Sequence, residues 1–353
     1  MEPTLQILEA LPKADLHSHI DGSVPVRDLF QIARLRGRRV RTPEGKELAT
    51  ASSFMAFVKG SGYHNMLDDI INRFFPITGL MQTQEVLRDV GIAYTRELHR
   101  HNVVYAEGRF APQYHLQEGL THDEVIQCMQ EGLAEGSERF GVRVNLIVAI
   151  GRESDQRTAE EVARAAARNR AVVALDLGGP EAGNPPERFR KAFAIATEAG
   201  LKKTVHAGEG AESVAQNVKN IRTAISTLGA DRVGHAIDLV KDEELVRLVA
   251  KKPVTIEMNP VSNRVLRKIR SIADLGIDRL LAKGAPVTVN SDDPALWPHG
   301  SLTEVFLAVC RAGRFGLEAV DTLVANSFEG AFIGANEKSA LHDQYRAARK
   351  RLS

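Results

Sequence analysis

Eight short β-rich apolar runs recur along the chain, and most of them end in polar residues. They are ADLHSH (14–19), VVYAEGRF (103–110), RVNLIVAI (143–150), VVALDLGG (172–179), KTVHAGE (203–209), RVGHA (232–236), PVTIEMN (253–259) and APVTVNSDD (285–293). Helical patterns lie between most of them: HDEVIQCMQEGLAEGSERF (122–140), TAEEVARAAARNR (158–170), ESVAQNVKNIRTAISTLG (212–229) and DEELVRLVAKK (242–252). Strands alternating with helices of that length form successive βαβ units and hence a parallel sheet. Eight strands are what a closed (β/α)8 TIM barrel needs, and such barrels often exceed ~200 residues as one unit. A doubly wound sheet also alternates, but it does not place polar chemistry after nearly every strand around a ring. The pattern therefore favours an α/β fold, a single barrel domain spanning 1–353.

The first connection is anomalous. More than 80 residues separate the first two strands, where one helix with its loops would suffice. Helical pieces such as PVRDLFQIARLRG and TQEVLRDVGIAYTRELHRH flank a Gly-rich bend, KGSGYHN (59–65). Leaving from the C-terminal end of a strand, this insertion, about 21–101, should fold over the barrel mouth as a lid or pocket wall. The basic run RLRGRRVR (34–41) reads first as a solvated helix end or loop, and second as an anion-contacting patch near the mouth. The C-terminal DQYRAARKRLS reads as an exposed helix.

Charge narrows the partners. Lys and Arg number 46 against 45 Asp and Glu, a net charge of +1, which offers no excess positive field for nucleic acid or an acidic membrane. Two cysteines, Cys128 and Cys310, supply neither a disulfide scaffold nor a thiolate zinc site. Glu2 and Glu9 stand where a secretion signal would be basic, and no run approaches the roughly 18 apolar residues of a membrane span. A soluble protein of a reducing, cytoplasmic compartment is the expectation, with its oligomeric state left open.

The histidines carry the chemistry. His17 and His19 form an H-x-H pair on the first strand, and residues i and i+2 of a strand face the same side, so both imidazoles can converge on one ion. His206, His235 and the pair Asp292–Asp293 end three further strands at the C-terminal edge, where barrel active sites assemble. Imidazoles with one carboxylate suit Zn2+ or a similar transition metal, whereas Mg2+ and Ca2+ sites are built from oxygen ligands.

Across nearly its whole length the chain resembles the adenosine deaminase family of metal-dependent amidohydrolases. The carrying motifs are LPKADLHSHIDGS (11–23), DLGGPE (176–181), HAGE (206–209), GHA (234–236) and NSDDP (290–294), with weaker echoes in YAEGRFAP (105–112) and NPVSN (259–263). The resemblance implies one Zn2+ per chain, bound by His17, His19, His206 and Asp292, with a position left for a water whose pKa the metal lowers to about 7. It places His235 beside that water, orienting it or acting as base alongside Asp292. Glu209 would reach the purine N1; N1 is an acceptor, so Glu209 must be protonated there, a state that a dry pocket favours. Asp293 would meet N7 and the Gly179 backbone N–H would meet N3, with His19 and Asp21 also on the substrate side, Asp21 holding sugar hydroxyls. The implied reaction is hydrolytic deamination of a purine nucleoside, adenosine or deoxyadenosine.

Alternatives stay open. Asp293 also suits a partner of a metal-bound histidine, and Asp21 an ordinary capping residue. Two-metal amidohydrolases bridge their ions with a lysine on strand four, and VVALDLGG has none. Pro180 departs from the family pattern and removes a backbone donor beside Gly179. Relatives act on adenine, aminodeoxyfutalosine, methylthioadenosine and N6-methyl-AMP, so the substrate within the family is open. A non-catalytic nucleoside-binding protein is disfavoured because every implied catalytic group is present.

Overall fold

The computed structural model describes residues 2–60, 66–252 and 254–352, the side chains of residues 66–71 excepted. Eight strands follow one another in sheet order: β1 (Lys13–His19), β2 (Val103–Phe110), β3 (Arg143–Gly151), β4 (Val172–Gly178), β5 (Lys202–Ala207), β6 (Arg232–His235), β7 (Thr255–Met258) and β8 (Val287–Val289). All neighbouring pairs are parallel. Each of the eight apolar runs overlaps one of these strands, although β1 and β5 begin one residue before their runs, β3 ends one residue after its run, and Pro253 of the seventh lies outside the described residues. The last five runs overshoot because their tails leave the strands. Gly208 has φ +73° and Asp292 φ +63°, so HAGE and SDD turn out of the sheet as loops.

The ring closes through backbone bonds that flank the chemistry. The His19 N–H donates to Asp292 O at 2.8 Å and the Asp292 N–H to His17 O at 2.9 Å. Lower down, the Leu16 N–H donates to the Asn290 side chain at 3.1 Å, so a side chain supplies part of the β8–β1 seam. The ladder is thin between β4 and β5, which pair only at Ala174↔Lys202 and Leu175↔Lys203. Past that point the side chains of Asp176 and His206 bridge the two strands.

Helices pack their apolar stripes onto the outside of the ring. His122–Phe140 starts at a capping box, Thr121 with Glu124, and buries Val125, Met129 and Leu133. Gln156–Arg168 starts at Asp155, whose side chain caps Thr158, and buries Val162 with four alanines. Each buried Val, Leu or Met side chain contributes roughly 1.5–3 kcal/mol.

Among the described residues five helices fill the β1–β2 connection: Ile20–Ser23, Val26–Leu35, Ala51–Lys59, Met66–Leu80 and Gln84–Arg100. Most of the Gly-rich bend (61–65) lies outside the described residues. In the basic run, Arg36 pairs with Asp89 and Arg38 with Glu118, while Arg39 faces Glu47 at 3.7 Å. These arginines serve as surface ion pairs rather than as an anion patch at the mouth. The C-terminal helix, Ala335–Lys350, is largely exposed and buries Tyr345.

The inside of the barrel is charged. Glu107, Arg109, Asp176, Arg232 and Glu257 are all essentially inaccessible to solvent. Arg109 donates to Asp176 at 2.9 Å and to Glu257 at 3.0 Å; Arg232 donates to Glu257 at 2.5 Å and lies 2.6 Å from Glu107. Buried charges persist where each is paired and hydrogen-bonded, and here carboxylates and guanidiniums alternate.

Candidate active site

The polar residues at the C-terminal strand ends converge. His17, His206, His235 and Asp292 each offer one ligand atom within 4.8 Å of the others, and all four are buried. His19 joins from the side, its Nε2 3.4 Å from Asp292 and 3.2 Å from the His206 Nε2. All four expected metal ligands are therefore brought together with His235, from β1, β5, the end of β6 and the loop after β8.

Each inner imidazole is aimed by a carboxylate beneath it. The His17 Nδ1–H donates to Glu257 at 2.7 Å, and the His206 Nδ1–H to Asp176 at 3.1 Å. Because an ionised carboxylate only accepts, it holds the proton on Nδ1 and leaves the Nε2 lone pair facing the cluster. The His17 Nε2 is buried and has no hydrogen-bond partner. A buried, unpaired acceptor that faces a carboxylate and further imidazoles is chemically satisfied by a cation, so the residues fit a bound transition metal.

Glycines admit the rings. A Cβ on Gly234 would lie 2.7 Å from the His17 ring, and one on Gly22 would overlap the Asp293 carboxyl. The G of GHA and the G of IDGS are thus required for close approach. His235 (φ +63°), Ala236 (φ +46°) and Asp292 all hold left-handed backbone without being glycine. Such strain concentrates where a fold over-determines a functional geometry.

His235 differs from the other imidazoles in having amides about it. The Asn263 side-chain amide lies 2.9 Å from Nδ1 and that of Asn259 3.2 Å from Nε2, which also stands 3.8 Å from a Glu209 carboxylate oxygen. Burial pulls its pKa down to about 4, so the ring is neutral. Asp293 has moved the other way: burial, then the charges of Asp292, Asp21 and Glu209, push its carboxyl well above the ordinary range. Burial also raises Asp21, to about 6.

A cavity of about 900 Å³ opens over the cluster. Its wall carries His19, Asp21, Gly179 (φ +92°), Glu209, His235, Asp292 and Asp293, so every residue expected to contact substrate lines one space. Phe74, Phe75 and Thr78 of the β1–β2 connection and Trp297 add apolar wall. Acids dominate, with Glu153 and Glu181 joining the four already named, against one lysine, Lys268. Several supporting residues escaped the sequence reading, namely Glu257, Arg109, Asn259, Asn263 and the role of Asp176. A signal existed for Glu257, a lone acid inside the apolar strand TIEM; Asn259 and Asn263 stood in the weaker echo NPVSN, which assigned them no role.

Comparison with known proteins agrees with this geometry. The family model described as adenosine deaminase matches residues 12–348. An adenine deaminase of Zymomonas mobilis is 30% identical over 336 residues, 94% of each chain. An adenosine deaminase of Clostridium kluyveri is 30% identical over 345 residues, 97% of this chain and 96% of its own. The crystal structure of an adenine deaminase from Arthrobacter aurescens superposes with a TM-score of 0.85 at 28% identity, covering 96% of this chain and 99% of that one. Fold and family together define a barrel hydrolase of the deaminase class. The chain belongs to the adenosine deaminase family, and it is a hydrolytic deaminase.

Proposed function

We propose that the protein hydrolyses the 6-amino group of a purine nucleoside, adenosine or deoxyadenosine, releasing ammonia with inosine or deoxyinosine. One observation carries the reading: the His–Asp cluster, Glu209, Asp293 and Asp21 line a single cavity. The cavity is far larger than a free base requires, and Asp21 provides an acceptor for sugar hydroxyls at its wall. Its many carboxylates and single lysine disfavour a phosphate-bearing substrate.

His17, His19, His206 and Asp292 would hold one Zn2+ per chain. When bound, that ion supplies the acidification of a water at neutral pH. The chain's own groups do the rest. The Gly179 N–H and the protonated Asp293 orient the purine through N3 and N7, and the Glu209 carboxyl delivers a proton to N1, which lowers the electron density at C6. His235, its Nδ1 facing the Asn263 side-chain amide, orients the attacking water, and Asp292 accepts its proton. The insertion 21–101 would act as a lid, its Phe74 and Phe75 excluding water from the base. Cys128 and Cys310 are both buried and unpaired, which supports a reducing, cytoplasmic setting. Among the described residues no helix is long and apolar enough to cross a membrane.

An ammonia-release screen over adenosine, deoxyadenosine, adenine, methylthioadenosine, aminodeoxyfutalosine and N6-methyl-AMP tests the substrate. The two simple nucleosides should lead on kcat/KM by at least about tenfold. A lead for adenine or N6-methyl-AMP would displace the nucleoside reading while leaving the deaminase class intact.

A further inference from the structure

The carboxylate of Glu181, on the loop after β4, is almost wholly buried and spends its lone pairs on one short piece of backbone. Its Oε1 accepts from the Gly208 N–H at 2.9 Å, and its Oε2 accepts from the N–H groups of Glu209 at 2.9 Å and Gly210 at 3.0 Å. The Asn220 side chain, on the helix Val214–Ser226, donates to Oε1 at 2.8 Å. The next amide, Ala211, donates to Asn217 at 2.9 Å. Every backbone N–H from 208 to 211 is therefore held by a side chain from outside the loop. Three successive N–H groups converging on one anion make a nest, and charge-assisted bonds of this kind are about twice as strong as neutral ones.

The loop so held carries Glu209. It leaves β5 where the β4–β5 ladder has already parted, while on its other side β5 stays paired with β6 up to Ala207 and the Gly208 carbonyl accepts from the Ile237 N–H at 3.0 Å, so the sheet holds the loop from the β6 side only. We infer that Glu181 is a positioning residue: it fixes the HAGEG backbone so that the Glu209 carboxyl stands at the site of proton delivery. This inference rests on the acid role proposed for Glu209. It also explains why the motif DLGGPE ends in an acid although that acid faces no metal ligand: an acceptor must cross from the β4 loop to the β5 loop.

The test is a double-mutant cycle on the zinc-loaded enzyme with adenosine, joined to amide hydrogen exchange. Glu181→Gln removes the charge and turns an N–H toward the nest. Zinc content and KM should hold within about threefold while kcat falls ~10²-fold, the scale of a small misplacement of a catalytic group. In a Glu209→Gln background the same substitution should change kcat by less than about threefold, because the group it positions is already disabled. The Gly208, Glu209 and Gly210 amides should exchange at least about tenfold faster in Glu181→Gln, with β4 unchanged. Should that variant not fold, Asn220→Ala removes one of the four bonds and is expected to lower kcat about threefold in the same non-additive way. Equal losses in both backgrounds, or unchanged exchange at 208–210, would overturn the inference. Loss of turnover on Glu209→Gln with none on Glu181→Gln would remove this proposal alone; normal turnover on Glu209→Gln would remove the acid assignment as well.

Discussion

Two tiers of the barrel interior use the same side chains to opposite ends. In the middle tier Glu107, Asp176 and Glu257 each face an arginine. Burial opposes the charged forms of Asp176 and Glu257, yet Arg109, Arg232 and the His17 ring hold Glu257 far below the usual carboxylate range, and His206 and Arg109 do the same for Asp176. In the upper tier Asp21 and Asp293 form no ion pair with a cation among the described residues; burial raises Asp21, and burial with the charges of Asp292, Asp21 and Glu209 raises Asp293. The paired tier is structural: it keeps charge, fixes tautomers and aims His17 and His206 upward. The unpaired tier is left with protons to give and a lone pair to offer. Pairing, rather than residue type, assigns the role.

Substitutions in the upper tier should cost the most. His17→Ala or Asp292→Ala should abolish bound zinc and measurable turnover together, read by metal analysis and ammonia release. Full metal occupancy in either would displace that ligand. Glu209→Gln should retain zinc and lose ~10²–10⁴-fold in kcat, the usual worth of positioned proton transfer. Normal turnover there would remove the acid assignment.

The middle tier should fail differently. Arg109→Met leaves Asp176 and Glu257 short of a partner at essentially zero exposure, so unfolding free energy should drop by about 3–5 kcal/mol. Zinc affinity should weaken ~10–100-fold as the imidazoles lose their aim. A variant as stable as the parent would mean that the tier is not a paired unit.

His115, in neither tier, gives the smallest effect. It is buried and stacks on Phe110 at 5.6 Å between centroids, and burial pulls its pKa down to about 4. Unfolded histidine titrates near 6.5, so the unfolded chain binds this proton first, and stability is lost as pH falls from 6.5 to 4. The loss amounts to about 3 kcal/mol by pH 4. His115→Phe should remove that slope, measured as the difference between the two pH–stability curves; identical slopes would show that the ring is free to protonate in place.

The upper tier was legible in the sequence. H-x-H, HAGE and SDD place their side chains at strand ends, and the barrel topology brings strand ends together whatever their separation along the chain. Strand ends were less legible, because Gly208 and Asp292 turn out of the sheet by backbone geometry that apolar patterning does not encode. The middle tier was hardly legible. Glu257 and Arg109 sit inside strands that read as buried, and a single residue cannot announce a partner well over a hundred positions away. Glu181 was visible only as the end of a motif, since its task depends on three amides of another loop.

The proposed deamination depends on one ion held by the upper cluster. The decisive measurement is ammonia release from adenosine by the purified protein before chelation, after chelation and after titration with Zn2+. Turnover should be lost on chelation and recover fully at one equivalent of zinc per chain. Turnover that survives complete metal removal, or recovery that needs two equivalents, would contradict it.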